Sequence, residues 1–494
     1  MSMDKFPTST SPTNPSEKQL LLGNVDINVN AKPNEQGANV VATFFNFAKA
    51  SIGSGSFALP FAVLSAGVII GSLGMILLGV VSLYTMQLML QCRDEVFQNL
   101  TPEEKKNFNY TELGKKAFEK IRIEGKNLGP IGKWAVDLSV LACNLGVCAG
   151  YMIFIASNLR WAFICFAYHH ETDSGTCFTS WELYAIVLPI LILLTYLPTF
   201  KYLAYAAYLG AFFLIVAMIT VIYYGIRDGF DYSPVQWGPS SWEGIAQWFG
   251  LTAFLFCVHS MVIPLQNSMK KPQYMTYVLD AAAIVVVGIN LPFALYGYFM
   301  FGKDTKGYIF ENIPGGVFND IVRVCLSIEL TLTFPIVFKP ASDVMEEIIQ
   351  GVLLYIAKAK GVNQILEMYG KRDLKWKFIH TVMVCAVRTL LVLISWGVAI
   401  GIPRFELCLA FVGSLAASVL AFVLPPLFHP LLLWKKTHMS RNILHIFILV
   451  VGVIATILAT GINLYEAIKQ HSSGNDCKSI REGCVANHSN NTLH

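Results

Sequence analysis

The sequence predicts an all-α integral membrane protein with about eleven transmembrane helices. Of 494 residues, 54% are hydrophobic and 14% charged. Mean hydropathy is +0.53, and apolar runs long enough to cross a bilayer recur along the whole chain. A soluble core of this size could not bury so much apolar surface, so lipid must be part of the solvent. The basic residues sit in short blocks between apolar runs and form no stripe, so the net charge of +4 leaves no nucleic-acid footprint.

Residues 1–39 are polar and rich in Ser, Thr, Asn and Pro, which predicts a disordered cytosolic tail with no cleavable signal peptide. Within it, Glu17, Leu21 and Leu22 fit the acidic dileucine pattern of endosomal or lysosomal sorting signals. A bilayer core about 30 Å thick needs roughly 20 apolar residues of helix. By that measure the spans are 40–65, 68–92, 134–160, 183–198, 203–226, 244–268, 276–301, 318–340, 378–400, 406–429 and 443–468. The transmembrane domain is therefore 40–468, with a lumenal or extracellular tail over 469–494. Residues 341–377 form a cytosolic segment within the domain. Its acidic and apolar residues recur at helical spacing, as in an amphipathic helix on the membrane or under the bundle.

A cytosolic N-terminus puts 25 of the 36 Lys and Arg on the cytosolic side, as the positive-inside rule requires. The odd span number then puts the C-terminus in a lumen or outside the cell. Two N-glycosylation sequons, at Asn487 and Asn490, are usable on that side. So are the potential disulfide partners Cys477 and Cys484 in the tail and Cys165 and Cys177 between the third and fourth spans. The other cysteines lack metal-ligand spacing, and no metal site is expected. A multi-pass protein of this kind belongs in the plasma membrane or an endolysosomal membrane.

Inside hydrocarbon, a Gly-rich break in a helix is tolerated where it lines a cavity or packs on protein. The first span contains one, Ser51-Ile52-Gly53-Ser54-Gly55-Ser56, followed by Pro60 early in a second half-helix. The start of that half-helix presents free N–H groups and a positive dipole at the membrane midplane, suited to a carboxylate. The sixth span holds a second interruption, Phe256-Cys257-Val258-His259, followed by Pro264. Breaks five spans apart mark a five-plus-five inverted repeat with the site between them.

Ionisable groups inside spans cost a few kcal/mol and so are functional candidates. His259 sits at the sixth-span break, Glu329 near the centre of the eighth span beside Thr331, and Lys49 one turn before Gly53. These are candidates for ion coupling or gating. Asn144, in the third span, either faces the site or bridges two helices. Asp137 and Arg323 lie near span ends and are expected to be solvated, whereas Arg388 is deep enough to need a partner. No Walker loop, HExxH or nucleophile elbow occurs, so an enzyme is not expected.

From Val40 to Ile468 the chain resembles the amino acid/auxin permease family, most closely its proton-coupled amino acid transporter branch. The likeness rests on the run from Lys49 to Pro60, on Pro264-Leu265-Gln266-Asn267-Ser268 through Pro272, and on Leu332-Thr333-Phe334-Pro335. Ile402-Pro403-Arg404-Phe405-Glu406 and Val412-Gly413-Ser414 through Pro425-Pro426 complete it. The resemblance implies a leucine-transporter-type fold, ten helices in the repeat and one extra. It also implies symport of small neutral amino acids by alternating access, with no cofactor beyond a coupling proton. Substrate binding then falls to Ile52, Gly53, Ser54, Gly55 and Ser56, which receive the α-carboxylate, and to Asn144, Phe256, Cys257 and His259, the last three nearer the amino group. One departure is that the branch commonly carries a glutamate where this chain reads Phe256-Cys257-Val258-His259. Sodium coupling through the hydroxyls of Ser327, Thr331 and Thr333, or a non-transporting amino acid sensor, are the alternatives. The expected partners are an amino acid and the lipid bilayer, and oligomeric state is not legible.

Overall fold

The computed structural model describes residues 37–123, 125–169, 180–196, 200–228, 235–313, 316–359, 374–402 and 404–471. The sorting pattern, Cys177, Cys477, Cys484, Asn487 and Asn490 lie outside them, as does the side chain of Cys165.

The first span opens with α1 (Val40–Ser51), capped by the Asn39 side chain accepting from Ala42 N–H at 2.6 Å. Just before it, Ala38 bridges to Met269 in a two-bond parallel contact. A 3-10 turn (Ser54–Ala58) follows and runs into α2 (Leu59–Phe97). Gly67 divides α2 with φ 75° and ψ 162°, a region that side chains disfavour. Beyond it the chain returns along its first arm, since a Cβ on Gly71 would lie 3.1 Å from Val63 Cα. Residues 59–66 thus end the first span and 68–97 form the second. The Gly67 turn is pinned by Val68 N–H and Ile69 N–H donating to the carbonyls of Gln236 and Trp237.

After the short helices α3 (Pro102–Lys106) and α4 (Tyr110–Phe118) comes a hairpin of two-residue strands, β1 (Arg122–Ile123) and β2 (Lys126–Asn127). The third to fifth spans are α5 (Gly129–His169), α6 (Ser180–Thr195) and α7 (Phe200–Asp228). The sixth is split into α8 (Trp242–Leu255) and α9 (His259–Ser268), and the seventh is α10 (Met275–Phe301). The eighth and ninth are α11 (Val317–Ala359) and α12 (Leu374–Gly401). The tenth joins α13 (Phe405–Val412), two π-helical segments and α14 (Leu424–Leu433), and α15 (Met439–His471) closes the set. Among the described residues nine helices are long and apolar enough to cross a membrane. One of the nine is the 54–97 helix that Gly67 divides, and the shorter apolar helix Leu183–Thr195 adds the fourth span, so the chain runs through eleven crossings.

The helix of the eighth span runs on through Pro335 and Pro340 to Ala359, so the segment expected to be amphipathic begins as its continuation. Each proline removes a single backbone bond, and the Met-Glu-Glu run beyond favours helix. Its acidic face docks under the bundle, Glu346 meeting Arg388 at 3.0 Å and Glu347 pairing with Lys133, while 360–373 lie outside the described residues. Arg323 is not solvated but fully buried, donating to the carbonyls of Phe310 and Ile313 and lying 4.6 Å over the Trp161 ring. Asp137 is likewise buried and accepts from Thr111 at 2.7 Å. In both cases a neighbouring loop or short helix folds over the span end, which hydropathy along one segment does not register. Arg388 does find partners, bonding Glu346 and the Thr195 carbonyl.

Candidate functional site

The two interrupted helices meet at mid-bundle. Ile52 turns out of α1 with φ −92° and ψ 101°, and Gly53 is extended before the 3-10 turn begins. In the sixth span α8 ends at Leu255, and Phe256 and Val258 leave helical geometry before α9 starts at His259. The breaks touch: a Cβ on Gly55 would lie 3.0 Å from the Phe254 ring. A Cβ on Gly53 would meet nothing within 4 Å. Its φ of −141° is available to any residue, so what a glycine preserves there is open space.

Three polar atoms at these breaks are buried without a hydrogen-bond partner among the described residues: Ser56 Oγ, Thr252 Oγ1 and His259 Nδ1. Buried polar groups are nearly always satisfied, so Ser56 on the first break, His259 on the second and Thr252 one turn before it are groups that the fold leaves open to a ligand, as it does several other buried polar atoms elsewhere in the bundle. The orientation of His259 is fixed by the second span. Thr85 Oγ1 donates to the Ser82 carbonyl at 2.8 Å, so it accepts from His259 Nε2, 2.9 Å away. That pattern assigns the proton to Nε2 and leaves Nδ1 as an acceptor facing the break. Ser82 Oγ in turn donates to the Phe256 carbonyl at 3.2 Å. Ser82 and Thr85 escaped the sequence reading, although two hydroxyls three residues apart in an apolar span were the available signal.

Cys257 places its sulfur 3.9 Å from Cys143 of α5. Asn144 is engaged within α5, its amide donating to the Val140 carbonyl at 2.7 Å, and so makes no helix-to-helix bridge with that nitrogen. Ser54 is buried in the 3-10 turn beside Ser56.

Lys49 and Glu329, singled out separately, lie close enough to feel each other's charge but make no ion pair: Lys49 Nζ is buried with no hydrogen-bond partner among the described residues, and the Glu329 carboxylate of α11 is a charge of opposite sign near it. Thr333 Oγ1 lies 3.5 Å from Glu329 Oε1. Gly210 of α7 seats the carboxyl, since a Cβ there would come within 2.5 Å of Oε1. Ser327 and Thr331 donate along their own helix, at 2.9 and 2.7 Å. On the opposite face, in the loop between α10 and α11, Glu311 has its pKa pushed up to about 7 by burial and by the Glu406 carboxylate, against Lys306, Arg323 and Arg404.

Eleven crossings with the first and sixth helices interrupted against each other define a multi-pass membrane protein. The chain belongs to the family of transmembrane amino acid transporter proteins, whose profile matches residues 36–464. It is 26% identical over 429 residues to the Arabidopsis thaliana amino acid transporter ANT1, covering 85% of this chain and 91% of that protein. It is 22% identical over 470 residues to the Drosophila melanogaster proton-coupled amino acid transporter-like protein pathetic, covering 94% and 92%. Among solved structures, the inward-facing conformation of Mhp1 overlays with a TM-score of 0.48 at 12% identity, covering 93% of this chain and 94% of that one. MhsT in complex with L-phenylalanine overlays at 0.43 and 14% identity, covering 88% and 99%.

Proposed function

We propose that this protein is a proton-coupled symporter of small neutral amino acids, working by alternating access around the two breaks. The observation that carries the reading is the orphaned trio Ser56 Oγ, Thr252 Oγ1 and His259 Nδ1 between interrupted helices. In this reading the α-carboxylate sits at the N-terminal end of the 54–66 segment, where the first N–H groups have no intrahelical partner and Ser56 can donate. The ammonium donates to His259 Nδ1 and to carbonyls released where α8 unwinds. Phe254 against Gly55 limits the space for a side chain, which favours small substrates. The described residues of the breaks, 52–56 and 254–259, include no Asp, Glu, Lys or Arg to balance a charged side chain.

Coupling runs through Glu329. Protonating it removes the opposite charge near the buried Lys49 ammonium, and an uncompensated charge in hydrocarbon drives α1 toward water on its own side. In an acidic organelle this gives export to the cytosol, and at the cell surface uptake. A second reading, sodium coupling, draws on Ser327 and Thr331: each hydroxyl donates into its own helix and keeps lone pairs for a cation.

Proteoliposome uptake across an amino acid panel tests these readings, with proton and sodium gradients imposed in turn. Concentrative uptake driven by the pH gradient is expected. Accumulation with a sodium gradient alone would replace the proton by sodium. Binding without flux would replace transport by sensing.

A further inference from the structure

On the face opposite the amino terminus lies a cleft of about 590 Å³ that shares no lining residue with the two breaks. It opens between the outer arm of the first span, the start of α8, the end of α10 and the end of α15. Its volume is that of a small-molecule site. Three features of its lining point to a ligand of one kind.

The first is Gln247 of α8. This residue is 8% exposed, lines the cleft, and its carboxamide makes no hydrogen bond among the described residues. Its amide atoms keep access to the cleft and are therefore open to a ligand there. The second is the juxtaposition of opposite charges. Lys303 is exposed, with no ion pair among the described residues, while the Glu466 carboxylate, 9% exposed and 3.6 Å from Lys469, forms part of the same wall. With Lys303 and Lys469 set against Glu243 and Glu466 the charged lining is balanced, so a ligand carrying both charges suits it better than a simple anion or a simple amine. The third is an apolar patch, Phe61 and Leu64, on the first-span arm.

We propose that this cleft is a second binding site for a zwitterionic α-amino acid, distinct from the site at the breaks, with its carboxylate on Lys303, its ammonium on Glu466 and Gln247, and its side chain on Phe61 and Leu64. The proposal rests on the reading of the chain as a handler of neutral amino acids. The cleft lies beside a close approach of the first and sixth spans, since a Cβ on Gly244 would fall 2.3 Å from the Ser65 carbonyl oxygen. An occupant therefore touches both interrupted helices together with α10 and α15. Its presence on that face would bias their relative motion.

Equilibrium binding of radiolabelled L-alanine to the purified full-length chain in detergent tests this by stoichiometry. The expected result is two sites per chain, reduced to one in Gln247→Leu and in Glu466→Gln, with proteoliposome uptake retained. Lys303→Met, at an exposed side chain, should give the same loss without altering buried packing. Excess propionate or ethylamine, each half of the zwitterion, should displace neither site. One site in the wild-type protein would overturn the cleft and leave the transport site standing. No binding would overturn both. Two sites persisting in all three variants, or displacement of the second by propionate alone, would also overturn the proposal.

Discussion

Replacing Glu329 by Gln tests the coupling mechanism directly. The carboxylate is a charge of opposite sign near Lys49, whose ammonium nitrogen is buried and has no hydrogen bond among the described residues. Removing one member of a contacting buried pair costs about 3–5 kcal/mol in other proteins. Lys49 and Glu329 are each only partly buried and make no ion pair, so about 1 kcal/mol is expected. About 1 kcal/mol shifts a two-state equilibrium roughly fivefold toward the state in which the ammonium reaches water. Glu329→Gln should therefore behave as permanently protonated. Exchange of amino acid across the membrane should persist, while concentrative uptake driven by a pH gradient should be lost and the pH dependence flattened. Counterflow and gradient-driven uptake, measured on the same proteoliposomes, separate the two. Adding Lys49→Met should recover about 1 kcal/mol in a double-mutant cycle, because the uncompensated charge is removed as well. A Glu329→Gln protein with wild-type pH dependence would refute the reasoning.

Three further outcomes follow from named contacts. Gly53→Val should yield normally inserted protein, because a Cβ there meets nothing within 4 Å, yet lose tenfold or more of uptake, about 1.4 kcal/mol, by filling the space beside the break. Uptake near wild type at normal expression would count against a substrate there. Gly67→Ala should destabilise by at least about 2 kcal/mol, combining a φ of 75° with a Cβ 2.4 Å from Gly238 O, and should be seen as loss of the monodisperse peak in size-exclusion chromatography. Glu311 is held above its ordinary value of 4.5, at about 7, so the folded chain binds that proton more tightly than the unfolded one. The stability it contributes is present in full below about pH 4.5 and is lost as pH rises through about 7, on the order of a few kcal/mol. Glu311→Gln should flatten the fall in apparent melting temperature between those pH values, and an unchanged slope would assign it to other groups.

Hydropathy, charge asymmetry and helix-breaking residues made the span count and both interruptions legible, because each is local. A crossing needs roughly 20 consecutive apolar residues, and a Gly-Ser-Gly run within one weakens the helix wherever it packs. The continuity of α11 across Pro340 was not legible in the same way. It depends on Glu346 and Glu347, which hold the helix to Arg388 and Lys133. The buried states of Asp137 and Arg323 were missed because their partners, Thr111 and the 310–313 turn, come from other segments.

What the sequence by itself determined is the set of chemical groups available at the membrane midplane and the two places where backbone is freed to use them. What only the tertiary structure decided is which groups face each other. Lys49 and Glu329 are 280 residues apart in the chain. The proton position on His259 depends on Thr85 and Ser82 of another span. Pairing across helices is set by rotation and register in the packed bundle, and no periodicity within a single helix encodes the face its neighbour presents.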